Sequence, residues 1–220
     1  MRIDVLTLFP DAIEGFINES IIKRATSSGK VEINLINFRD YSPLNNNQVD
    51  DTPYGGGAGM VLRCEPIFNC LDDIKTDDSY VILLTPEGRT YNQGVARELT
   101  QKKHIILICG HYEGFDERIK TLVDEEISIG DYILTGGEIA ASAIIDSVVR
   151  LLDGVITKES LESESFNDNL LDYPTYTKPA EYRGLKVPDV LISGNHELIN
   201  KWREEKRQEK TKDKRPDLLK

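Results

Sequence analysis

The stretch "HIILICGHYEGFDER" (residues 104–118) decides the fold. It opens as an unbroken apolar run, without the alternation of a half-solvated strand, and passes at once into glycine, acids and polar groups. A short strand of that kind belongs in a parallel sheet covered on both faces. Two other stretches have the same form: "YVILL" runs into "TPEGRTY" (85–91), and "EISI" into "GDYILTGGE" (130–138). Apolar runs at 3–9 and 32–38 complete the set of strands, and helical patterns fill 11–28, 65–75, 92–101 and 137–152. The alternation predicts an α/β body with a parallel sheet. Ligands of such sheets lie beyond the carboxyl ends of the strands. Three glycine-bearing strand ends therefore predict one shared small-molecule site. They carry no lysine and no phosphate-loop pattern, which favours a cationic or neutral nucleoside over a triphosphate.

A second glycine cluster, "GGGAGM" (55–60), invites a phosphate-loop reading and fails it. A P-loop needs Lys-Ser/Thr after its last glycine, where Met60-Val61 stand. A dinucleotide loop needs a glycine at the sixth position, which is Met60, and a preceding strand, where "NNNQVDDTPY" reads as loop. A tight surface turn and a close approach of backbone to a partner both remain open for it.

A chain of 220 residues with 39% hydrophobic content accommodates one ordinary domain and a small appendage. No apolar run approaches the roughly 20 residues of a membrane span. The acids in "MRIDVLTLFPDAIEGF" argue against a signal peptide, so a cytoplasmic location is expected. Cys64, Cys70 and Cys109 form no CxxC pair and the histidines have no zinc-like spacing, so no metal site is expected. The net charge of −11 argues against a general nucleic-acid binder. Residues 201–220 nevertheless carry nine Lys/Arg against five Asp/Glu. A solvated helix with i,i+4 pairs and a phosphate-binding element both fit that tail.

The α/β pattern breaks near Asp153-Gly154. "KESLESESFNDNLLDYPTYTKP" (158–179) is acidic and aperiodic and contains Pro174 and Pro179, which reads as a mobile connection. A helix then follows, with Ser193 or Asn195 as N-cap. The expected division is 1–157 for the α/β body, 158–175 for a flexible acidic linker and 176–220 for a C-terminal helical domain.

"DTPYGGGAGM", "TPEGRTY", "CGHYEGFDER", "SIGDYILTGGE" and "SGNHELINKWR", in this order, resemble one known family across essentially the whole chain. It is the bacterial tRNA (guanine-37-N1)-methyltransferases, the TrmD type of the SPOUT superfamily. The resemblance implies a deep trefoil knot in the α/β body, where periodicity suggests an unknotted flavodoxin-like sheet. It also implies a homodimer with composite active sites, S-adenosyl-L-methionine as methyl donor, tRNA rather than DNA or a membrane as partner, and a divalent ion such as Mg2+. By motif, the cofactor pocket would comprise Leu84, Thr85 and Pro86, then Gly110, Tyr112, Glu113 and Gly114. Its third wall would be Ile129, Gly130, Asp131, Tyr132, Ile133 and Leu134, with Gly136 and Gly137. Glu113 would offset the sulfonium charge; helix-dipole pairing is its ordinary alternative.

Methylation at guanine N1 needs a base for the N1 proton and a donor for the charge that develops on the ring. Arg150, in "DSVVRLLDG", matches the family's guanine-binding arginine. The family usually has Asp before a Ser-Phe pair in the linker; "ESESF" places Glu164 there, in a linker about one residue shorter, with Asp168 as the fallback base. Lys178, Lys201, Arg203, Lys206 and Arg207 would contact tRNA, with Lys178 standing where Arg is commoner. "NNNQVDD" lacks the basic or His residue that often precedes Val-Asp-Asp, and His111 stands where relatives have His or Arg. A non-catalytic knotted RNA-binding homologue that still binds S-adenosylmethionine is the alternative function. A flavodoxin-like nucleotide-binding domain is a further rival.

Overall fold

The computed structural model describes residues 1–162 and 164–220. The chain divides into two compact units, Met1–Ile156 and Thr157–Lys220. The first unit runs β1 (Arg2–Thr7), α1 (Asp11–Ile17), α2 (Ser20–Ser27), β2 (Glu32–Asn37), β3 (Asp50–Asp51) and β4 (Val61–Leu62). It continues with α3 (Cys64–Ile74), β5 (Ser79–Thr90), α4 (Gln93–Leu99), β6 (His104–Ile108), β7 (Glu125–Ser128) and α5 (Glu138–Val149). The second unit contains α6 (Lys158–Glu162), β8 (Glu181–Tyr182), β9 (Leu185–Lys186), α7 (Asp189–Ile192) and α8 (His196–Lys214).

Five strands form one sheet in the order β2-β1-β6-β5-β7, every neighbouring pair parallel. The all-apolar β6 is explained by burial on both faces. Ile105 and Leu107 pack with Ile3, Val5 and Ile82 of the sheet, and with Ile13, Val95 and Ile144 of α1, α4 and α5. Ile106 and Ile108 point the other way, into Leu6, Val81 and Leu83 and the α3 residues Ile67 and Leu71. Two layers of helix around one sheet leave no face for solvent, so hydrophobicity need not alternate.

Two elements differ from the sequence expectation. The helical pattern at 11–28 is two helices: α1 ends where the Asn18 side chain turns back to the Glu14 carbonyl at 3.0 Å, and Ser20 adopts a φ of +51°. Asn and Ser bond readily to nearby backbone and so compete with helix continuation. Strand β5 extends to Thr90, through a segment that reads as loop. Leu84 and Arg89 both oppose Ile127 of β7, so residues 85–88 bulge outward between them.

The amino ends of the strands are closed by a polar cluster. Asp4 is fully buried and accepts from Arg2 at 2.7 and 2.9 Å, from the Asn34 amide at 2.9 Å and from His104 Nε2 at 2.9 Å. The other nitrogen of His104 lies 2.7 Å from Ser79 Oγ. Each buried polar group there has a partner, as burial demands.

Candidate active site

At the opposite, carboxyl edge, the ends of β5, β6 and β7 enclose a cavity of about 310 Å³ with the start of α5. Leu84, Thr85 and Pro86 form one wall, and Gly110, Tyr112, Glu113 and Gly114 another. Ile129, Gly130, Tyr132, Ile133, Leu134, Gly136 and Gly137 form the third. Of the residues that the motifs placed around a cofactor, Asp131 alone is not in the lining; it is exposed. The cavity also takes in His111, Phe115, Ile127, Ser128, Thr135 and Ala140. Ile127 belongs to β7 itself, where an apolar strand pattern says nothing of a ligand. His111, Phe115, Ser128 and Thr135 sat within quoted motifs.

Close backbone approach builds this cavity. A Cβ on Gly137 would lie 2.7 Å from the Cys109 Cα and 3.0 Å from the Gly110 nitrogen. The Gly137 N–H instead donates to the Gly110 carbonyl at 3.0 Å, tying the start of α5 to the end of β6. Burial pushes the Cys109 thiol well above its ordinary pKa, so this sulfur is a packing atom rather than a nucleophile.

Beneath the cavity lies a network that the motif reading did not single out. Glu138, buried in the first turn of α5, accepts from Thr7 Oγ1 at 2.5 Å and pairs with His111 Nε2 at 2.9 Å. Thr7 Oγ1 accepts in turn from the Phe9 N–H at 2.9 Å, and the Phe9 ring stacks on His111 at 4.7 Å, tilted by 59°. The network thereby links β1, the loop after β6 and α5 at one point. Its sequence signals were a lone threonine in the apolar "IDVLTLF" and a glutamate directly after Gly-Gly.

The "GGGAGM" loop is also explained. Its end braces the cavity rim. Met60 O accepts from the Glu113 N–H at 2.9 Å, Leu62 N donates to Gly114 O at 2.9 Å, and Asp116 N donates to Leu62 O at 2.9 Å. Gly59, at a φ of +80°, lies so close to Glu113 that a Cβ would meet its side chain at 2.5 Å. Helix-dipole pairing falls to Asp116 rather than Glu113. The Asp116 carboxylate accepts from the Arg118 N–H at 3.0 Å as N-cap of a short 3-10 helix (Glu117–Leu122). Its hydrogen bonds to the Arg118 side chain hold it below the usual carboxylate range.

The remaining candidates are dispersed. Arg150 is the half-buried C-cap of α5, outside the cavity lining. In the second unit, Glu164 is half-buried and Asp168 sits exposed at a turn with a φ of +52°. Lys178 and Lys201 are exposed, and Lys206 pairs with Glu209 at 2.5 Å. Arg203 and Arg207 turn inward: Arg203 lies 4.8 Å over the Tyr173 ring, and Arg207 donates to the Asn167 carbonyl at 3.3 Å. Segment 158–175, read as a connection, carries α6 and is hydrogen-bonded to α8 through Leu171 and Asp172. Among the described residues no group of three or more His, Cys, Asp or Glu could hold a metal ion. No described helix is long and apolar enough to cross a membrane.

A parallel α/β sheet with a glycine-walled cavity at its carboxyl strand ends is the arrangement in which open α/β proteins bind small ligands. Comparison with known proteins narrows this. The family model tRNA (Guanine-1)-methyltransferase TrmD matches residues 1–220. A tRNA (guanine-N(1)-)-methyltransferase of Malacoplasma penetrans is 60% identical over 219 residues, covering 100% of this chain and 97% of that protein. Proteins of the same name from Carboxydothermus hydrogenoformans and Staphylococcus epidermidis are 56% and 54% identical; each alignment spans 100% of this chain, with 88% and 91% of the relatives covered. The chain belongs to the tRNA (guanine-N1)-methyltransferase TrmD family.

Proposed function

We propose that this protein transfers a methyl group from S-adenosyl-L-methionine to N1 of guanosine 37 in tRNA, immediately 3′ of the anticodon. The observation that carries the reading is the cavity at the ends of β5, β6 and β7, walled by the family's motif residues. Its fit to a nucleoside rests on the tight seating of Gly136 against His111 and Glu138 and of Gly137 against Cys109, which fixes the cavity wall, and on loop amides and carbonyls able to read a base edge. When bound, the cofactor supplies an electrophilic methyl on a positively charged sulfur. Glu113, exposed on the cavity rim and braced by Gly59, offsets that charge.

Guanine N1 is a poor nucleophile while it carries its proton. In this reading the Glu164 carboxylate takes the proton and the Arg150 guanidinium holds the negative charge that grows on O6 and N1. Glu164 is preferred to Asp168 because its backbone is held on both sides: its N–H donates to Leu161 O and its carbonyl accepts from Asn167 N, each at 3.4 Å. Lys178, Lys201 and Lys206 are the phosphate contacts we propose, as point charges on the second unit. Among the described residues no group of three or more His, Cys, Asp or Glu could hold Mg2+.

The finer architecture is part of the same proposal. The α/β body would be tied into a deep trefoil knot near its last strands, as the family resemblance implies. The domains would run 1–157, 158–175 and 176–220. The active form would be a cytoplasmic homodimer with composite sites; Tyr132, Ile133 and Ile139, exposed by 54%, 81% and 64%, supply apolar surface beside the cavity for a second copy. The test is methylation of an unmodified tRNA transcript with isotopically labelled cofactor, against a transcript carrying adenosine at position 37. Label in N1-methylguanosine from the first alone is expected. Cofactor binding without transfer to any transcript would establish the non-catalytic RNA binder instead.

A further inference from the structure

Helix α8 is polar on nearly every face, yet Thr211 within it is fully buried. Its hydroxyl donates to the Arg207 carbonyl one turn back at 2.7 Å, the usual habit of a helical threonine. The same oxygen also accepts from the Leu171 N–H at 2.8 Å, a residue 40 positions away in sequence. Neighbours repeat the pattern. Arg207 donates to the Asn167 carbonyl at 3.3 Å and Lys210 to the Asp172 carbonyl at 3.0 Å. The segment they hold also clasps itself: Asp172 N donates to Ser165 Oγ at 3.0 Å and Phe166 N to Leu170 O at 2.7 Å.

Three non-glycine residues of this turn, Phe166, Asp168 and Asn169, have φ values of +70°, +52° and +58°. Such conformations persist where the surroundings over-determine them, and the α8 contacts supply the determination. The Arg207 side chain is only 15% exposed; one terminal nitrogen holds the Asn167 carbonyl of the turn and the other pairs with Glu204 at 3.2 Å, so the guanidinium is engaged inside this unit.

We propose that Thr211 and Arg207 are positioning residues for methyl transfer: they fix the 164–172 turn, and with it the Glu164 carboxylate, instead of gripping RNA. The proposal rests on Glu164 being the base. A general base must lie within hydrogen-bond reach of the proton it removes, and a misplacement of about 1 Å costs on the order of 10²-fold in rate. One polar helix can thus serve chemistry through Thr211 and Arg207 and offer the exposed Lys201 to RNA.

The experiment uses the full chain and an unmodified tRNA transcript. It measures the single-turnover rate at saturating tRNA, the cofactor Kd and the salt dependence of tRNA binding. Thr211→Val and Arg207→Met are expected to slow methyl transfer by roughly 10- to 100-fold, with cofactor Kd unchanged. Thr211→Ser, which keeps the hydroxyl, should restore the rate. The slope of log K against log salt should stay at the wild-type value for Arg207→Met. A slope shallower by about one, with the rate at saturation unchanged, would make Arg207 a phosphate ligand and overturn the proposal. Equal losses in Thr211→Val and Thr211→Ser would also overturn it. Should Thr211→Val fail to fold, Ser165→Ala opens the clasp from the turn's side and must slow transfer; a wild-type rate there refutes the positioning role. Glu164→Gln separates the two levels. A wild-type rate in that variant removes the base assignment and the proposal with it, whereas a slow Glu164→Gln beside a fast Thr211→Val removes the positioning role alone.

Discussion

The two ends of the central sheet are built from the same chemistry and do opposite things. At the amino ends, a buried carboxylate (Asp4) meets a histidine (His104), and the histidine meets a hydroxyl (Ser79). At the carboxyl ends, a buried carboxylate (Glu138) meets a histidine (His111) and a hydroxyl (Thr7). The first cluster is sealed: Arg2 and Asn34 fill the remaining acceptor directions of Asp4. The second lies under a cavity whose wall includes Gly110, Gly136 and Gly137, each packed too closely against Phe115, His111 or Cys109 to carry a side chain. A buried acid–histidine pair is therefore no sign of a ligand site in itself. What separates a staple from a site is whether the adjoining backbone leaves room.

This contrast is broken most forcefully from the sealed end. Asp4→Ala strands Arg2, Asn34 and His104 together, and removal of one partner from a buried ion pair costs about 3–5 kcal/mol. Chemical denaturation should register that loss, while the cofactor Kd of the folded protein stays at its wild-type value. A weakened Kd would mean that the two ends are coupled.

Glu138→Ala should lose less stability, about 2 kcal/mol for donors left unpaired in the interior, but it should weaken cofactor binding as well. Calorimetry and denaturation on the same variant sharpen the comparison, since only the open end is expected to move both readings. Gly137→Ala tests the glycine argument directly. Its Cβ must displace the Cys109-Gly110 backbone, and overpacking of about 1–2 kcal/mol should appear chiefly as a cofactor Kd roughly tenfold weaker.

The smallest effect concerns the rim. Asp116→Ala removes the cap of the 3-10 helix beside Phe115, a loss of about 1 kcal/mol near neutral pH. The folded-state pKa of Asp116 is lowered, so its charge-dependent stabilisation is present above the ordinary carboxylate range and disappears as pH falls through the folded value. Denaturation curves of the two proteins should accordingly converge on acidification. A gap that stays constant with pH would assign the effect to packing instead.

How legible these features were depended on whether they were local. The all-apolar run of β6 disclosed burial on both faces, because a strand with no polar positions has nowhere to put water. The break at Ser20 and the extension of β5 through "TPEGRT" were hidden: the first is one residue's backbone angle, the second a pairing with Ile127 almost 40 positions on. Among the tRNA-contact candidates, Arg203 and Arg207 read from the sequence as part of a basic face, and the same charge served equally for an internal clamp. Helical spacing does not reveal which side of α8 another segment will cover.

The sequence by itself determined the parallel α/β body, the cluster of glycine-bearing strand ends and the family to which the chain belongs, since each follows from hydrophobic period or from long motifs in register. Tertiary structure alone decided that Glu138, His111 and Thr7 meet beneath the cavity, that the "GGGAGM" loop braces Glu113, and that Thr211 holds Leu171. These are contacts between residues separated by 27 to 131 positions, and no local propensity encodes them. They exist because the sheet's order brings distant strand ends together, and buried polar atoms must then find partners among whatever arrives.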